Sequence, residues 1–408
     1  MTISPELRLE FKQRIENEIL NNVLPFWIRH APDREHGGFY GLITNDLRVY
    51  NDVPRSSVLC SRILWTFSAA YRLYGGEAYL DMATMAFDEL LRHFWDREYS
   101  GVFWAVDYQG NIVSDRKQIY AQAFALYGLA EYYRATGNEA SLEHAVELFH
   151  CIETYSHDRV NGGYFEARDR RWQPSEDVRL SDKDLNALKS MNTMLHVMEA
   201  YTSLLRVWDN GDLRHGLKEL VEVMLERVLT AVPYDHFALF FDEHWKPLSD
   251  RISFGHDIEG SWLLTGAAEV LGDPALLARV QMAALRLAQA VYEHGLDTDG
   301  SLFYEADPAG IVNADKHWWP QAEAVVGFYN AFQLSLQEHF FDASYRCWDY
   351  IERRVIDRAY GEWFYKLTRE GRPYPDYPAD PDQYKIGPWK CPYHNGRAGF
   401  EMARRLSL

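Results

Sequence analysis

Two hydrophobic patterns alternate along the chain, and both are helical. Near the N-terminus, large apolar residues recur at every fourth position and so share one face of a helix: Phe11, Ile15, Ile19, Val23 and Trp27. The stretches 139–155 and 274–292 are likewise amphipathic. By contrast, the stretch 121–130 is apolar on nearly all sides, which is typical of a buried helix. We therefore predict pairs of helices, one at the surface and one in the interior.

A short polar and aromatic motif separates these helical pairs and recurs six times. It consists of an acidic lead-in, a glycine or other small residue, an aromatic pair, a turn and a closing aspartate. The copies begin at Asp33, Asp96, Asp158, Pro233, Asp297 and Asp357, of which the fourth is the weakest. Successive copies start 63, 62, 75, 64 and 60 residues apart. The aromatic strands and turn residues within each copy predict a β-hairpin.

Six repeats of one interior and one surface helix give twelve helices. The closed arrangement of such repeats is two concentric rings, so we expect an all-α fold, an (α/α)6 barrel of twelve helices with short β-hairpins between repeats. No linker rich in proline, glycine or serine interrupts the series, and we expect a single catalytic domain over residues 1–408. An open helical solenoid is the alternative. The count of six, with two ends free to close a ring, favours the barrel.

Charge and cysteine content restrict the partners and the compartment. The 408 residues carry a formal net charge of −18, which disfavours nucleic acid or anionic membranes because these partners need clustered lysine and arginine. The four cysteines are widely spaced, which fits a reducing compartment. The chain has no membrane-spanning apolar run and no signal-peptide core. We expect a cytoplasmic protein without nucleic-acid or membrane partners, and a monomer or a homodimer.

The least usual residues of the chain lie where each interior helix begins. In the expected barrel these helix starts share one end, so their side chains surround one mouth. They are Arg62, Tyr120, Asn192 with His196, His256 with Glu259, Trp319 with Glu323, and Trp389 with His394. Each has a purely structural interpretation, such as a hydrogen-bonded core histidine or, for Arg62, a buried ion pair with Glu259 or Glu323. Their coincidence at matched points of a repeat favours a functional pocket.

The residue types limit the chemistry of such a pocket. A pair of histidines can act as base and acid near neutral pH without large pKa shifts. A metal site is less favoured, because no His-x-x-x-His or cysteine-rich cluster occurs, and we expect no metal. A serine nucleophile lacks its Gly-x-Ser-x-Gly turn. A glycosidase needs two carboxylic acids, and Glu259 with Glu323 leaves that alternative open.

The same helix starts resemble the cellobiose 2-epimerases of the N-acylglucosamine 2-epimerase superfamily. The matching stretches cover all six repeats: 61–67 (SRILWTF), 120–122 (YAQ), 190–193 (SMNT) with His196, 254–259 (FGHDIE), 317–323 (HWWPQAE) and 392–397 (PYHNGR). The resemblance implies an (α/α)6 barrel and a cofactor-independent carbohydrate epimerase, which is an isomerase. It implies ring opening of a reducing-end sugar, removal of the C2 proton, a cis-enediolate, and return of a proton to the opposite face.

By motif match, the resemblance also implies roles for individual residues. His256 and His394 would be the acid/base groups on the two sides of C2. His196 and Arg62 would lie near O1 and O2, where Arg62 can stabilise the enediolate charge, and Glu259 would orient His256. The residues implied to hold the sugar are Tyr120, Asn192, Trp319, Trp389, Glu323 and Asp184, the last on the loop that lengthens the third repeat.

One position departs from the family pattern. Residue 194 is methionine, where disaccharide epimerases are expected to carry a polar residue, often histidine. The departure bears on how a second sugar is held, and so on whether the substrate is a β-1,4-linked disaccharide such as cellobiose or lactose. The alternatives are a mannose 2-epimerase or mannose/glucose–fructose isomerase of the same superfamily, an (α/α)6 glycoside hydrolase, and a glycan-binding barrel without catalysis.

Overall fold

Twelve helices in two rings make up most of the computed structural model, which describes residues 3–407. The inner ring contains Ser57–Tyr74 (α2), Ile119–Thr136 (α4), Met191–Leu205 (α6), Phe254–Leu271 (α8), Trp318–Ser335 (α10) and Tyr393–Arg405 (α12). The outer ring contains α1, which runs through Pro5–Glu18, Ile19–Val23 and Leu24–His30, and then Glu77–Glu89 (α3), Glu139–Tyr155 (α5), Gly211–Val223 (α7), Pro274–Ala290 (α9) and Glu338–Tyr350 (α11). Four outer helices continue into a π-helical turn, at Leu90–Phe94, Met224–Val228, Val291–Gly295 and Ile351–Val355. The predicted (α/α)6 barrel is confirmed.

The two rings have the burial that the two hydrophobic patterns predict. Residues 119–132 of α4 are all buried, whereas α7 buries one face that includes Leu213, Leu217 and Leu220. Gly128 lets neighbouring inner helices approach closely, because a Cβ there would lie 2.8 Å from the carbonyl oxygen of Ser61. Within residues 3–407, no helix combines the length and apolarity needed to cross a bilayer.

Short strands connect neighbouring repeats at the end of the barrel where the inner helices begin. The strand before an inner helix pairs with the next repeat in five places: Arg55–Ser56 with Ala105–Val106, Lys117–Gln118 with Ala167–Arg168, Lys189–Ser190 with Phe240–Phe241, Ile252–Ser253 with Glu305–Asp307, and Lys316–His317 with Lys366–Leu367. Ile112–Ser114 pairs with Ala105–Val106, Gly310–Asn313 with Glu305–Asp307, and Leu229–Thr230 with His236–Phe237. The series closes at Ile43, whose backbone N–H donates to the carbonyl of Ile386 at 2.9 Å. A closed ring excludes the open solenoid.

The predicted hairpins differ from the structure in their position. Inside the repeated motif the chain is held by single β-bridges, such as Trp95 with Val102 and Ile356 with Trp363. In the second, third, fifth and sixth repeats the regular strands begin after the aromatic pair and bond mainly to the neighbouring repeat. In the fourth repeat Phe240–Phe241, the aromatic pair, is itself a strand, and Leu229–Thr230 pairs with His236–Phe237. The hairpins therefore join repeats, and they fix where each inner helix begins.

A buried ion pair recurs with the repeat and was missed in the sequence. The leading acid of the motif pairs with the basic residue that precedes the next inner helix, as in Asp33–Arg55 (2.6 Å), Asp96–Lys117 (3.0 Å), Asp158–Lys189 (2.8 Å), Asp297–Lys316 (3.0 Å) and Asp357–Lys385 (2.8 Å). In the fourth repeat, the corresponding places hold Pro233 and Ile252. The ion pairs thus attach the motif to the helix start in five of the six repeats.

Replacing Lys189 by methionine should destabilise the protein by about 3–5 kcal/mol, because Asp158 would remain buried without its counterion. The ammonium also donates to two backbone carbonyls, those of Gly162 at 2.9 Å and Glu243 at 3.0 Å, which would lose their donor. Thermal unfolding measured by calorimetry checks the loss.

The matched control is Lys218→Met. Lys218 pairs with Asp273 at 3.0 Å, but these side chains remain 46% and 35% exposed, so the expected loss is under about 1 kcal/mol. Equal losses in both variants would contradict a stabilising role for the buried pair.

Candidate active site

Two positions of the inner helices bring the predicted residues together. One set of residues stands at the second position of inner helices α4, α6, α8, α10 and α12: Tyr120, Asn192, Gly255, Trp319 and His394. Another set stands at the sixth position of α2, α4, α6, α8 and α10: Arg62, Phe124, His196, Glu259 and Glu323. Residues four apart lie on the same face of a helix. Contacts described below join these residues, apart from Asn192, into one cluster at the mouth of the barrel.

His256 and His394 lie against the same tryptophan. The ring centroid of Trp319 is 4.7 Å from that of His256 and 5.5 Å from that of His394. Gly255 makes room for the indole, because a Cβ at this position would lie 2.5 Å from it. Repeats four and six therefore bring their imidazoles to the same indole. His256 is half-buried and His394 is 5% exposed.

Both imidazoles are neutral at neutral pH. Burial lowers the pKa of His256 to about 3, with a smaller contribution from the charge of His196. Burial and the nearby guanidinium groups of Arg62 and Arg397 hold the pKa of His394 well below its ordinary value. The expectation that these histidines act without large pKa shifts is therefore wrong. The shift leaves each ring with a free lone pair that can accept a proton.

Each imidazole has a fixed orientation. His394 Nδ1 lies 2.7 Å from Glu323 Oε1, and His256 Nδ1 lies 2.8 Å from Ser253 Oγ. In both cases Nε2 is the nitrogen left for a substrate, since the partner is at Nδ1.

The predicted partnership between Glu259 and His256 is wrong. Ser253 occupies His256 Nδ1, while Glu259 Oε1 accepts from Arg397 Nη2 at 2.6 Å and lies 3.9 Å from His394 Nδ1. The same His-x-x-Glu spacing does form a pair one helix earlier, where His196 Nδ1 lies 3.0 Å from Glu199 Oε2. That spacing could have identified Glu199 from the sequence.

Arg397 is the central residue that the predicted site lacked. It is 2% exposed, and its Nη2 donates to both Glu259 Oε1 and Glu323 Oε1 at 2.6 Å. Its Nη1 donates to Glu199 and to Tyr393 Oη, and the Tyr393 hydroxyl donates to Glu199 at 2.5 Å. One guanidinium thus bonds to three buried carboxylates. Its position three residues after His394 was visible in the sequence, but its partners were not.

The excess of carboxylates in this cluster changes their proton affinity. Burial, reinforced by Glu323, raises the pKa of Glu259 to about 7, and burial raises the pKa of Glu323. Burial alone would also raise the pKa of Glu199, but Arg397 and His196 lower it to about 2. The cluster can therefore hold a proton near neutral pH on Glu259, and Glu323 also binds a proton more tightly than an ordinary glutamate.

Donor atoms of Glu259, Glu323 and His394 all lie within 4.8 Å of one another, a set that could suit a metal ion. Arg397 Nη2, however, bonds to one oxygen of each carboxylate. A cation thus already occupies the face where the two carboxylates converge.

Arg62 is a buried cation without a carboxylate partner among the described residues. It donates to the Tyr120 hydroxyl at 2.7 Å and lies 4.1 Å above the ring of Phe124, while its Nε has no hydrogen-bond partner. The alternative of an ion pair with Glu259 or Glu323 is therefore wrong. His196 packs edge-on against Tyr120, with ring centroids 5.0 Å apart, which joins Arg62 to the histidine cluster.

Three of the residues implied to hold a sugar differ in their surroundings. Trp389 is half-buried, with its ring centroid 6.2 Å from that of Tyr120. Asn192 is also half-buried, and its Oδ1 has no hydrogen-bond partner. Asp184 accepts from the backbone N–H and the hydroxyl of Ser181 at 2.9 and 2.8 Å, so its carboxylate stabilises its own loop.

Met194 does not line the cluster. It is fully buried, and its sulfur accepts from the backbone N–H of Tyr164 at 3.3 Å. Gln122 and Gln321, at the same position of their helices, accept from backbone N–H groups of the repeated motif in the same way. The expectation that residue 194 bears on the binding of a second sugar is therefore not supported, because this position anchors the motif.

Comparisons with known proteins agree over nearly the whole chain. The profile of the N-acylglucosamine 2-epimerase (GlcNAc 2-epimerase) family matches residues 37–386. The cellobiose 2-epimerase of Bacteroides fragilis is 43% identical over 392 residues, which cover 96% of this chain and 98% of that protein. The structure of cellobiose 2-epimerase from Bacillus thermoamylovorans B4167 is 39% identical with a TM-score of 0.90, covering 97% of this chain and 99% of that one. A D-mannose isomerase structure, 20% identical with a TM-score of 0.82, shares the fold.

Glu259→Gln should make stability less sensitive to pH. Folding raises the pKa of this carboxyl from 4.5 to about 7, so the folded state binds the proton more tightly than the unfolded state. The contribution of Glu259 to the stability of the wild type should therefore fall as pH rises from about 4.5 to about 7, by an amount on the order of 3 kcal/mol. Glutamine has no proton to lose, so the variant should gain relative to the wild type over this range.

Calorimetric melting temperatures at pH 5, 6, 7 and 8 measure this difference. Glu226→Gln is the control, because this exposed carboxylate pairs with Arg279 at the surface at 2.8 Å. Its melting curve should follow the wild type at every pH. A Glu259→Gln curve that also runs parallel to the wild type would contradict the raised pKa.

Proposed function

This chain belongs to the N-acylglucosamine 2-epimerase family, and we propose that it is a cellobiose 2-epimerase. It would interconvert glucose and mannose at the reducing end of β-1,4-linked disaccharides by moving the C2 proton from one face to the other. The observation that carries the proposal is the placement of His256 and His394, from different repeats, against one indole. A single fixed base tends to return a proton where it came from, so inversion needs two such groups.

Charge stabilisation is the second requirement. Removing the C2 proton of an open-chain aldose creates a cis-enediolate with negative charge at O1 and O2. Arg62 is suited to this charge because it is buried, carries no carboxylate partner among the described residues, and keeps an unpaired Nε. The Tyr120 hydroxyl and His196 lie beside it. Fixed donors in such a desolvated setting contribute strongly to catalysis.

We further propose that His394 and Glu323 act as one proton-carrying unit. With Glu323 ionised, His394 Nδ1–H donates to it, and Nε2 can accept the C2 proton. With Glu323 protonated, its O–H donates to Nδ1, and Nε2–H can deliver a proton to C2 while Nδ1 takes the proton of Glu323. The 2.7 Å contact and the raised pKa of Glu323 support this relay, and it needs no lasting imidazolium.

The same enediolate also leads to a ketose if the proton is delivered to C1, so isomerisation remains the second candidate. The hydrolase alternative is weaker. Glu259 and Glu323 both bond to Arg397 through Oε1, and a glycosidase needs two carboxylates placed on either side of a glycosidic bond.

Incubation with cellobiose in deuterated water tests the reaction class. We expect 4-O-glucosyl-mannose with deuterium at C2, detected by NMR and mass spectrometry, and the same outcome with lactose. A ketose as the main product would select the isomerase, and released monosaccharide would select the hydrolase. Absence of both exchange and product with cellobiose, lactose and mannose would reject enediolate chemistry.

Single histidine variants test the two-base arrangement. His256→Ala and His394→Ala should each lower the epimerisation rate by about 100- to 10,000-fold. Each should still exchange the C2 hydrogen of the epimer whose C2–H faces the remaining base, without inversion. The control His244→Ala removes an imidazole that is 68% exposed and should leave the rate unchanged. Unimpaired inversion in either folded variant would rule out this role.

A further inference from the structure

One turn of the sixth motif carries an unusual residue. In four of the motifs, a residue in the left-handed backbone region accepts through its carbonyl from the N–H of the leading aspartate. Three of these residues are glycines, with φ of 65° to 75°: Gly38, Gly101 and Gly163. The fourth is Glu362, with φ of 59°. Because a side chain makes this region unfavourable, a glutamate here indicates that its carboxylate serves a purpose.

The carboxylate of Glu362 is fully buried and accepts from several directions. It pairs with the Lys390 ammonium, and its Oε1 accepts from Asn395 Nδ2 at 2.6 Å and from Trp27 Nε1 at 3.3 Å. The backbone N–H of Trp363 donates to Oε2. Lys390 and Asn395 are buried as well, so these bonds form away from water, where each is difficult to replace.

Two of these partners stand on either side of His394 in the chain. Lys390 precedes the histidine by four residues, and Asn395 follows it directly. Glu362 therefore holds the backbone both before and after the residue that carries the imidazole.

The start of α12 needs such an attachment, because no strand leads directly into it. In the other five repeats, a short strand paired with a neighbouring repeat ends directly before the inner helix. The sixth repeat has a single bridge, between Ile386 and Ile43, and residues 387–392 separate this bridge from α12. The sheet thus fixes the starts of the other inner helices, while the start of α12 is held by side chains.

We propose that Glu362 is a positioning residue for His394, because it holds both flanks of this histidine against the turn of the sixth motif. The inference rests on the proposed role of His394 as one of the two bases. Glu323 bonds to Nδ1 at 2.7 Å and orients the ring, whereas Glu362 fixes the backbone from which the ring projects. Without the Glu362 carboxylate, the segment 390–395 would shift and Nε2 of His394 would no longer be aligned with C2.

Exchange of the C2 hydrogen in deuterated water tests this role, because it separates the two bases. The epimer that faces His394 is the one whose exchange is lost in His394→Ala. In Glu362→Gln, the exchange rate of this epimer should fall about 10- to 100-fold more than that of the other epimer, since a misplacement of about 1 Å costs a rate factor of this order. Equal losses for both epimers would show that Glu362 serves stability alone and would overturn the proposal.

A second variant removes the cost of an unpaired buried charge. Glu362→Gln leaves Lys390 without this counterion, whereas the double variant Glu362→Gln/Lys390→Met removes both charges. The double variant should melt at a higher temperature than Glu362→Gln and still show the unequal loss of exchange. Equal exchange losses for the two epimers in the folded double variant would also count against the proposal.

Glu18→Gln is the matched control. Glu18 is buried and accepts from Trp363 Nε1 at 2.9 Å, so it joins α1 to the same motif, but within residues 3–407 it makes no hydrogen bond to α12. Exchange of both epimers should match the wild type. A selective loss like that of Glu362→Gln would assign the effect to the motif as a whole and overturn the role of Glu362.

Nitrogen-15 NMR of the histidine rings gives a readout that is independent of activity. Glu362→Gln should shift the ring resonances of His394, identified by their absence in His394→Ala, and should leave those of His256 in place. A wild type that exchanges the C2 hydrogen of no sugar would reject the proposed function, and the NMR spectra would then decide the role of Glu362. Unshifted His394 resonances in folded Glu362→Gln would overturn that role in either case.

Discussion

One buried guanidinium holds the centre of this barrel together. Arg397 of α12 bonds to carboxylates from α6, α8 and α10, so a single residue connects four of the six inner helices. Removing it would leave three buried carboxylates to repel one another, and breaking one buried pair alone typically costs about 3–5 kcal/mol. Burial raises the pKa of Glu259 and of Glu323, Arg397 acts against that rise, and Glu323 in turn orients His394.

The repeat places different chemistry at equivalent positions of one scaffold. Five repeats attach the helix start to the preceding motif with a buried acid–base pair, and those pairs set the ring of helix N-termini. The fourth repeat lacks the pair and carries His256 instead, with Ser253 bonded to Nδ1 and Asp257 accepting from the backbone of Phe237 at 2.8 Å. The repeat with the weakest motif thus supplies one of the two proposed bases, and the sixth repeat, which has the ion pair, supplies the other.

The fold could be predicted from the sequence because its signals are local: the period of the motif, and the contrast between helices apolar on one face and on all faces. Much of the cluster could be predicted for the same reason, since every inner helix begins at one mouth, but Glu199 and Arg397 were missed. The hydrogen-bond partners of these residues could not be predicted. Whether Glu259 contacts His256 or Arg397 depends on side-chain directions across helices, and Met194 looks like a pocket residue until its bond to the repeated motif is seen. The pKa values depend on burial, which spacing does not give. The aspartates and lysines of the recurring ion pairs were visible but had no apparent partners.

The division of charge between the two arginines explains why the site suits a reaction that creates an anion. If Arg62 were paired with Glu259, its charge would already be balanced before any substrate arrived. Arg397 instead takes the carboxylates, and Arg62 is left against Tyr120 and Phe124 with an unpaired Nε. A cation held this way in a buried setting gains most when a negative charge appears beside it. At the same time, burial and the nearby cations keep the two imidazoles unprotonated. Each ring therefore has a free lone pair that can accept a proton. In the proposed reaction, Arg62 stabilises the developing charge, while the two histidines and Glu323 move the protons.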